Sequence, residues 1–156
     1  MGNVEFLESH RISDTRIPTE GHYYTALGYS VSRNERAIDH AARSIINRRS
    51  IYTGTVVDLP RLAAKLGITG HEHLFLRYPK YSFRSDGRSV NSVKPVGFSG
   101  GSLLDLGDFS AAASFTGNRQ TSARLSAMLI EYHRDHRALI AVKIGPIIDG
   151  IRRALR

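Results

Sequence analysis

The 156-residue chain has no cysteine, which removes a disulfide framework, a thiolate zinc site, an iron–sulfur cluster and a cysteine nucleophile together. Zinc, if bound, would have to be held by histidine and carboxylate. No segment approaches the run of about 18 apolar residues that a membrane span needs, and the first residues lack the charged and apolar regions of a secretory signal. Phe6 stands where a myristoylation motif beginning at Gly2 wants Ser or Thr. These absences lead us to expect a soluble protein with no membrane partner, cytoplasmic by default, with a specialised export route left open. Internal repeats and low-complexity tracts are missing as well.

Lysine is scarce, with four residues against eighteen arginines. Fourteen acidic side chains leave a net charge of +8 and a pI near 10.2. The planar arginine fork meets phosphate and carboxylate oxygens two at a time, whereas lysine is a hydrated point charge suited to a merely soluble surface. The excess points to an anionic partner, of which nucleic acid is the commonest. Genome composition alone also exchanges lysine for arginine, and that is the competing account.

The length suits one domain able to bury about two-thirds of its unfolded surface. The expected organisation is a flexible arm over residues 1–20 and a single basic α+β domain over 21–156, with three or four helices packed on a mostly antiparallel sheet. Strands are expected at 4–8, 22–31, 51–57 and 138–144 from period-two alternation and apolar runs. A two-residue turn at Asp86-Gly87 would pair Phe83 with Val90 and Arg84 with Ser89. Ser32 and Glu35 form a capping box that opens a helix to about Arg49, with Ile38, Ala41, Ala42, Ile45 and Ile46 inward. Asp58 caps a short helix with Pro60 in its first turn, Leu62, Ala63 and Leu66 inward, and Gly67 as its stop. Residues 59–69 look like the first helix of a helix-turn-helix, but Gly70 and Pro79 spoil a recognition helix after it. A further helix is read over 120–136 with Leu125, Met128, Leu129 and Tyr132 inward. Residues 97–117 read as loop. A last helix from Pro146 would turn Ile148, Ile151 and Leu155 to the core and Arg152, Arg153 and Arg156 to water.

Four features carry chemistry in this reading. Arg36, His40, Arg43 and Asn47 recur along one stripe of the first expected helix, with Arg48 and Arg49 at its end, a surface suited to tracking phosphates. Arg33 with His40 also resembles the Arg-x4-6-His pattern of helical HEPN-type ribonucleases. Aromatic and basic residues interleave from Phe75 to Arg88, as in proteins that hold single strands. There Tyr81 and Phe83 are expected in the core, and Tyr78 is expected exposed as the stacking ring. His71, Glu72 and His73 form one histidine cluster, and Glu131, His133, Asp135 and His136 another. Neither has the His-Glu-x-x-His spacing of a zinc site, so no metal and no other cofactor is assigned. Gly97-Phe98-Ser99-Gly100-Gly101 resembles the nucleophile elbow of α/β-hydrolases, with Asp105 or Asp108 and His133 or His136 following in the family's order.

The expected function is binding of nucleic acid, RNA or single strands rather than a duplex sequence. Arg36, Arg43, Arg48 and Arg49 would meet phosphates from one surface and Arg77, Lys80, Arg84 and Arg88 from another, with Tyr78 as the stacking platform. A metal-independent ribonuclease of toxin type shares this surface and adds His40, or His133 with His136, as acid and base. The third class is an interaction or coat-type assembly module whose C-terminal arginine helix docks on an acidic protein partner.

Overall fold

A computed structural model describes residues 9–13, 21–30, 38–39, 44–45, 49–84, 86–108 and 123–156. Its main body is a six-stranded antiparallel sheet built from β1 (His22–Tyr29), β4 (Arg49–Thr55), β5 (His73–Arg77), β8 (Ser102–Asp108), β9 (Arg124–His133) and β10 (Ala138–Lys143), in the order β4-β1-β8-β9-β10-β5. The sheet curls until its edges meet. Val56 bridges Leu76, and the Val57 amide donates to the Phe75 carbonyl at 2.9 Å. Closure of this kind pairs backbone groups that an open edge would leave exposed.

Alternation along the strands fills the inside of the curl. Tyr24 and Ala26 of β1, Leu74 and Leu76 of β5, Leu103 of β8, Ala127 and Leu129 of β9, and Leu139 and Ala141 of β10 form one buried cluster with Tyr78 and Phe98. The outer face of β5 and β10 is covered by α1 (Pro60–Leu66), whose Leu62 packs on Phe75 and Ile140. Full burial of a side chain such as Leu62 contributes about 2 to 3 kcal/mol. The expected Pro60 start and Gly67 stop of this helix are found, but Leu59, not Asp58, occupies the cap position, without a side-chain hydrogen bond. A short 3-10 turn, Ser9–Arg11, leads to a bridge between Ile12 and Leu125.

The expectation of three or four helices packed on a sheet is overturned: the described residues hold two α-helices, and strands dominate. Two apolar patterns that match helical spacing are strands instead. Residues expected in one helix to Arg49 contain β2 (Ile38–Asp39) and β3 (Ser44–Ile45), which pair with each other, and Arg49 begins β4. Isoleucine is β-branched and favours the extended chain when a partner strand is within reach. In the segment expected as a helix over 120–136, Leu125, Ala127 and Leu129 alternate as readily as they repeat at helical spacing. With β8 on one side and β10 on the other, the strand wins.

The glycine-rich segment is not all loop, because Ser102–Asp108 is the strand between β1 and β9. The last helix, α2 (Ile144–Ala154), forms as expected, but only part of its stripe turns inward: Ile148 is half-buried, whereas Ile151 is 55% and Leu155 82% exposed. The expected strand at 4–8 lies outside the described residues. No described helix is long and apolar enough to cross a membrane.

Candidate functional site

Beyond the end of β5, a hairpin of β6 (Tyr81–Phe83) and β7 (Ser89–Asn91) carries the basic and aromatic interleaving. Its register is shifted by one residue from the expected pairing: Phe83 faces Ser89, Ser82 faces Val90, and Tyr81 faces Asn91. The cause is the turn. Arg84 and Arg88 close it, with the Arg84 amide donating to the Arg88 carbonyl at 3.0 Å and the Gly87 amide to the Arg84 carbonyl at 2.9 Å. Gly87 takes φ +78°, and Asp86 Oδ1 accepts from the Arg88 amide at 3.0 Å. A three-residue loop with glycine in the left-handed region replaces the two-residue turn.

That single step reverses what the hairpin shows to water. Ser82 and Val90 form its half-buried side, while Phe83 is 78% and Tyr81 55% exposed. Lys80 places its ammonium 5.2 Å from the Tyr81 ring centre. Arg84 and Arg88 are exposed beside the rings, with Arg88 Nε 3.7 Å from Asp86. The expectation of Tyr81 and Phe83 in the core is therefore corrected.

So is the expectation that Tyr78 is exposed. It is 4% exposed, and its ring lies 4.5 Å from Tyr52, 5.7 Å from Tyr132 and 6.3 Å from Phe98, centre to centre. Its hydroxyl donates to the Val93 carbonyl at 2.6 Å, so the polar end of the buried ring is satisfied. A ring held in this way is a core residue, unable to stack on a base at the surface.

Between the hairpin and the start of β4 lies a cavity of about 330 Å³, walled by Tyr52, Tyr78, Phe98 and Val93 and rimmed by Phe83 and Arg84. Ser50 also lines it. The Ser50 hydroxyl is buried with no hydrogen-bond partner among the described residues, although a buried hydroxyl ordinarily has one. Tyr52 is half-buried, and burial raises its pKa above the ordinary 10.0 while the nearby Arg77 pulls it down. Because the folded protein binds this proton more tightly than the unfolded chain, the stability it confers is present below pH 10 and is lost as pH rises through the raised value. Urea unfolding from pH 9 to 11.5 is expected to show a steeper alkaline loss for the wild type than for Tyr52→Phe.

A second cavity, of about 350 Å³, lies where the sheet closes, lined by His22, Thr55, Asp58, Gly70, His73 and Phe75 among others. His22 Nδ1 lies 2.9 and 3.0 Å from the two oxygens of Asp105. Asp105 is 8% exposed, and its Oδ1 also accepts from the Gly107 amide at 2.8 Å. His73 Nδ1 lies 3.1 Å from the Thr69 carbonyl. Since a carbonyl and a carboxylate only accept, each imidazole carries its Nδ1 proton toward its partner and keeps Nε2 for other work. Lys143 is buried on β10 and donates to the carbonyl of Gly70 at 2.8 Å, with burial lowering its pKa.

The other expected residues divide plainly. Arg36, His40, Arg43 and Arg48 lie outside the described residues. Arg49 is exposed at the head of β4, and Arg77 is exposed at the end of β5. His133, half-buried at the end of β9, and His136, on the exposed turn after it, are brought together, Nδ1 to Nδ1 at 3.2 Å. His71 and Glu72 are exposed, and no group of three His, Asp or Glu suited to a metal occurs among the described residues. The Gly97–Gly101 segment leads into a strand rather than a helix, so it is no nucleophile elbow. Gly101 serves close packing: a Cβ there would overlap the Leu27 carbonyl and come 2.8 Å from that of Phe98.

The pairing of His22 with Asp105 escaped the sequence reading because the two residues are 83 apart. A signal was present in Leu103-Leu104-Asp105-Leu106, where a carboxylate inside an apolar run calls for a buried partner. Compared with known protein families, curated proteins and solved structures, the chain matches none of them.

Proposed function

We propose that this protein binds single-stranded nucleic acid, RNA in particular, on the face formed by the β6–β7 hairpin and the adjoining cavity. One observation carries the reading: two exposed rings, Tyr81 and Phe83, stand on one hairpin with Lys80, Arg84 and Arg88, and Phe83 and Arg84 rim an aromatic-walled cavity. Rings stack on bases whatever their identity, and the cations meet the intervening phosphates. The Ser50 hydroxyl lines the cavity without a hydrogen-bond partner among the described residues and supports the same reading, as a partner for the edge of one inserted base. Arg49 and Arg77 extend the cationic surface around β4 and β5.

Fluorescence anisotropy with a labelled mixed-sequence RNA tests it. The single strand is expected to bind more tightly than the same strand annealed to its complement, because paired bases cannot splay onto the rings. Equal or tighter binding of the duplex contradicts the proposal.

A second reading, an interaction module with an acidic protein partner, draws on α2, where the exposed Ile151 and Leu155 accompany Arg152, Arg153 and Arg156. It makes the hairpin irrelevant to binding, so substitutions in α2 and in the hairpin separate the two.

A further inference from the structure

The turn that joins β9 to β10 sets two imidazoles nitrogen to nitrogen. His133 ends β9 opposite Ala138, the first residue of β10, and His136 stands in the turn between them. The Nδ1 atoms of the two rings lie 3.2 Å apart, and the ring centres 4.8 Å. From this geometry we infer that His133 and His136 form a chelating site for a divalent metal ion of the zinc, nickel and copper group, bound through both Nδ1 atoms. The inference is independent of the nucleic-acid reading and uses no residue of the β6–β7 hairpin.

The distances carry it. A zinc–imidazole bond is about 2.0 to 2.1 Å long, so two nitrogens 3.2 Å apart subtend an angle of about 100 to 106° at a shared ion, near the tetrahedral angle. An imidazole centre lies about 1.15 Å behind its nitrogen, which puts the centres of two rings aimed at that ion about 5 Å apart. Two rings joined by a straight N–H···N bond of the same length would have centres about 5.5 Å apart. The observed 4.8 Å lies closer to the chelating arrangement.

The turn holds the pair in place. Arg137, next to His136, takes φ +46° and is the one described residue other than glycine in the left-handed region. A conformation that is costly for a residue with a side chain persists where its surroundings fix it. Here the Arg137 amide donates to the Arg134 carbonyl at 3.2 Å, and the Arg137 carbonyl accepts from the Tyr78 amide at 2.7 Å, which ties the turn to the residue after β5. Two rings positioned in advance lose less freedom on binding an ion than two free side chains would.

The ligands decide the class of ion. Imidazole nitrogen suits zinc, nickel and copper, whereas magnesium and calcium take oxygen. The exposed Glu131 and Asp135 are offset by the exposed Arg134 and Arg137, so affinity rests on the coordinate bonds rather than on a field that draws any cation. Two protein ligands, one fewer than in a catalytic zinc site, leave the other positions to water and make the ion exchangeable. Binding also moves a proton. In the neutral pair one Nδ1 donates and the other accepts. An ion takes both Nδ1 lone pairs, so the donor ring must carry its proton on Nε2 instead, with no proton lost from the pair.

The test titrates zinc chloride into the full chain at pH 7.5, in a buffer that does not coordinate metal, by calorimetry beside long-range ¹⁵N–¹H spectra of the imidazoles. One saturable equivalent is expected, with nickel competing for the same site and magnesium not competing. In the zinc form both rings should be protonated on Nε2 alone, one of them having changed tautomer. His133→Ala and His136→Ala should each weaken binding by at least the about 10- to 100-fold that loss of an outer-shell partner costs a metal site. His71→Ala should leave it unchanged. If His133→Ala does not fold, His136→Ala, at an exposed position, decides alone. The absence of a saturable equivalent in the wild type, or an affinity that His136→Ala leaves unchanged, overturns the inference. So does effective competition by magnesium, or a zinc form in which either ring keeps its proton on Nδ1.

Discussion

Replacing Tyr81 or Phe83 by alanine is expected to weaken binding of single-stranded RNA by about 1 to 3 kcal/mol for each ring that holds a base. That corresponds to about 5- to 150-fold in Kd. Stability should barely change. Both rings are more than half exposed, so their removal opens no cavity, and the backbone ladder of the hairpin is untouched. Anisotropy titrations beside urea unfolding separate the two effects. Affinity unchanged within twofold in both variants would remove the rings from the binding face.

Tyr78→Ala is expected to do the reverse. Its ring is 4% exposed among Tyr52, Phe98 and Tyr132, so truncation leaves a large hole in the main core. The cost for a buried aromatic side chain is about 3 to 5 kcal/mol, a large share of the 5 to 15 kcal/mol available to a typical domain. Tyr78→Phe keeps the ring and leaves only the Val93 carbonyl without its donor, at about 1 to 3 kcal/mol. The urea midpoint should therefore fall in the order wild type, Phe, Ala. An alanine variant of native stability that had lost RNA affinity would show that Tyr78 is a surface ring after all.

The contrast between these rings shows how far the sequence could be read. Interleaved aromatic and basic residues run through the hairpin segment, and Asp86-Gly87 marked a turn within it. Which rings faced water depended on one residue of loop length, which local turn preferences did not decide. Several elements were found near their expected bounds: the strands beginning at His22 and Ala138, the helix between Pro60 and Gly67, and the C-terminal helix. The helix expected up to Arg49, with its clear helical spacing, was not.

The apolar run around Leu125 to Tyr132 satisfied two periods at once, and only its neighbours on either side made it a strand. The Gly-Ser-rich segment hid β8 because Gly101 reads locally as a breaker. In the folded chain it is the small residue that lets the loop approach the Leu27 carbonyl. The His22–Asp105 contact depends on strand order across the sheet, which no local pattern carries.

In the proposed complex the cations of the hairpin meet phosphates. The most direct measurement is the salt dependence of single-stranded RNA binding for the wild type and for Arg84→Ala with Arg88→Ala. Each phosphate contact on a single strand contributes about 0.7 to the slope of log affinity against log salt. The wild type is expected to show a slope of several units, and the double variant a slope shallower by about 1.4, with unfolding unchanged. A wild-type affinity insensitive to salt, or a slope identical in the two proteins, would contradict it.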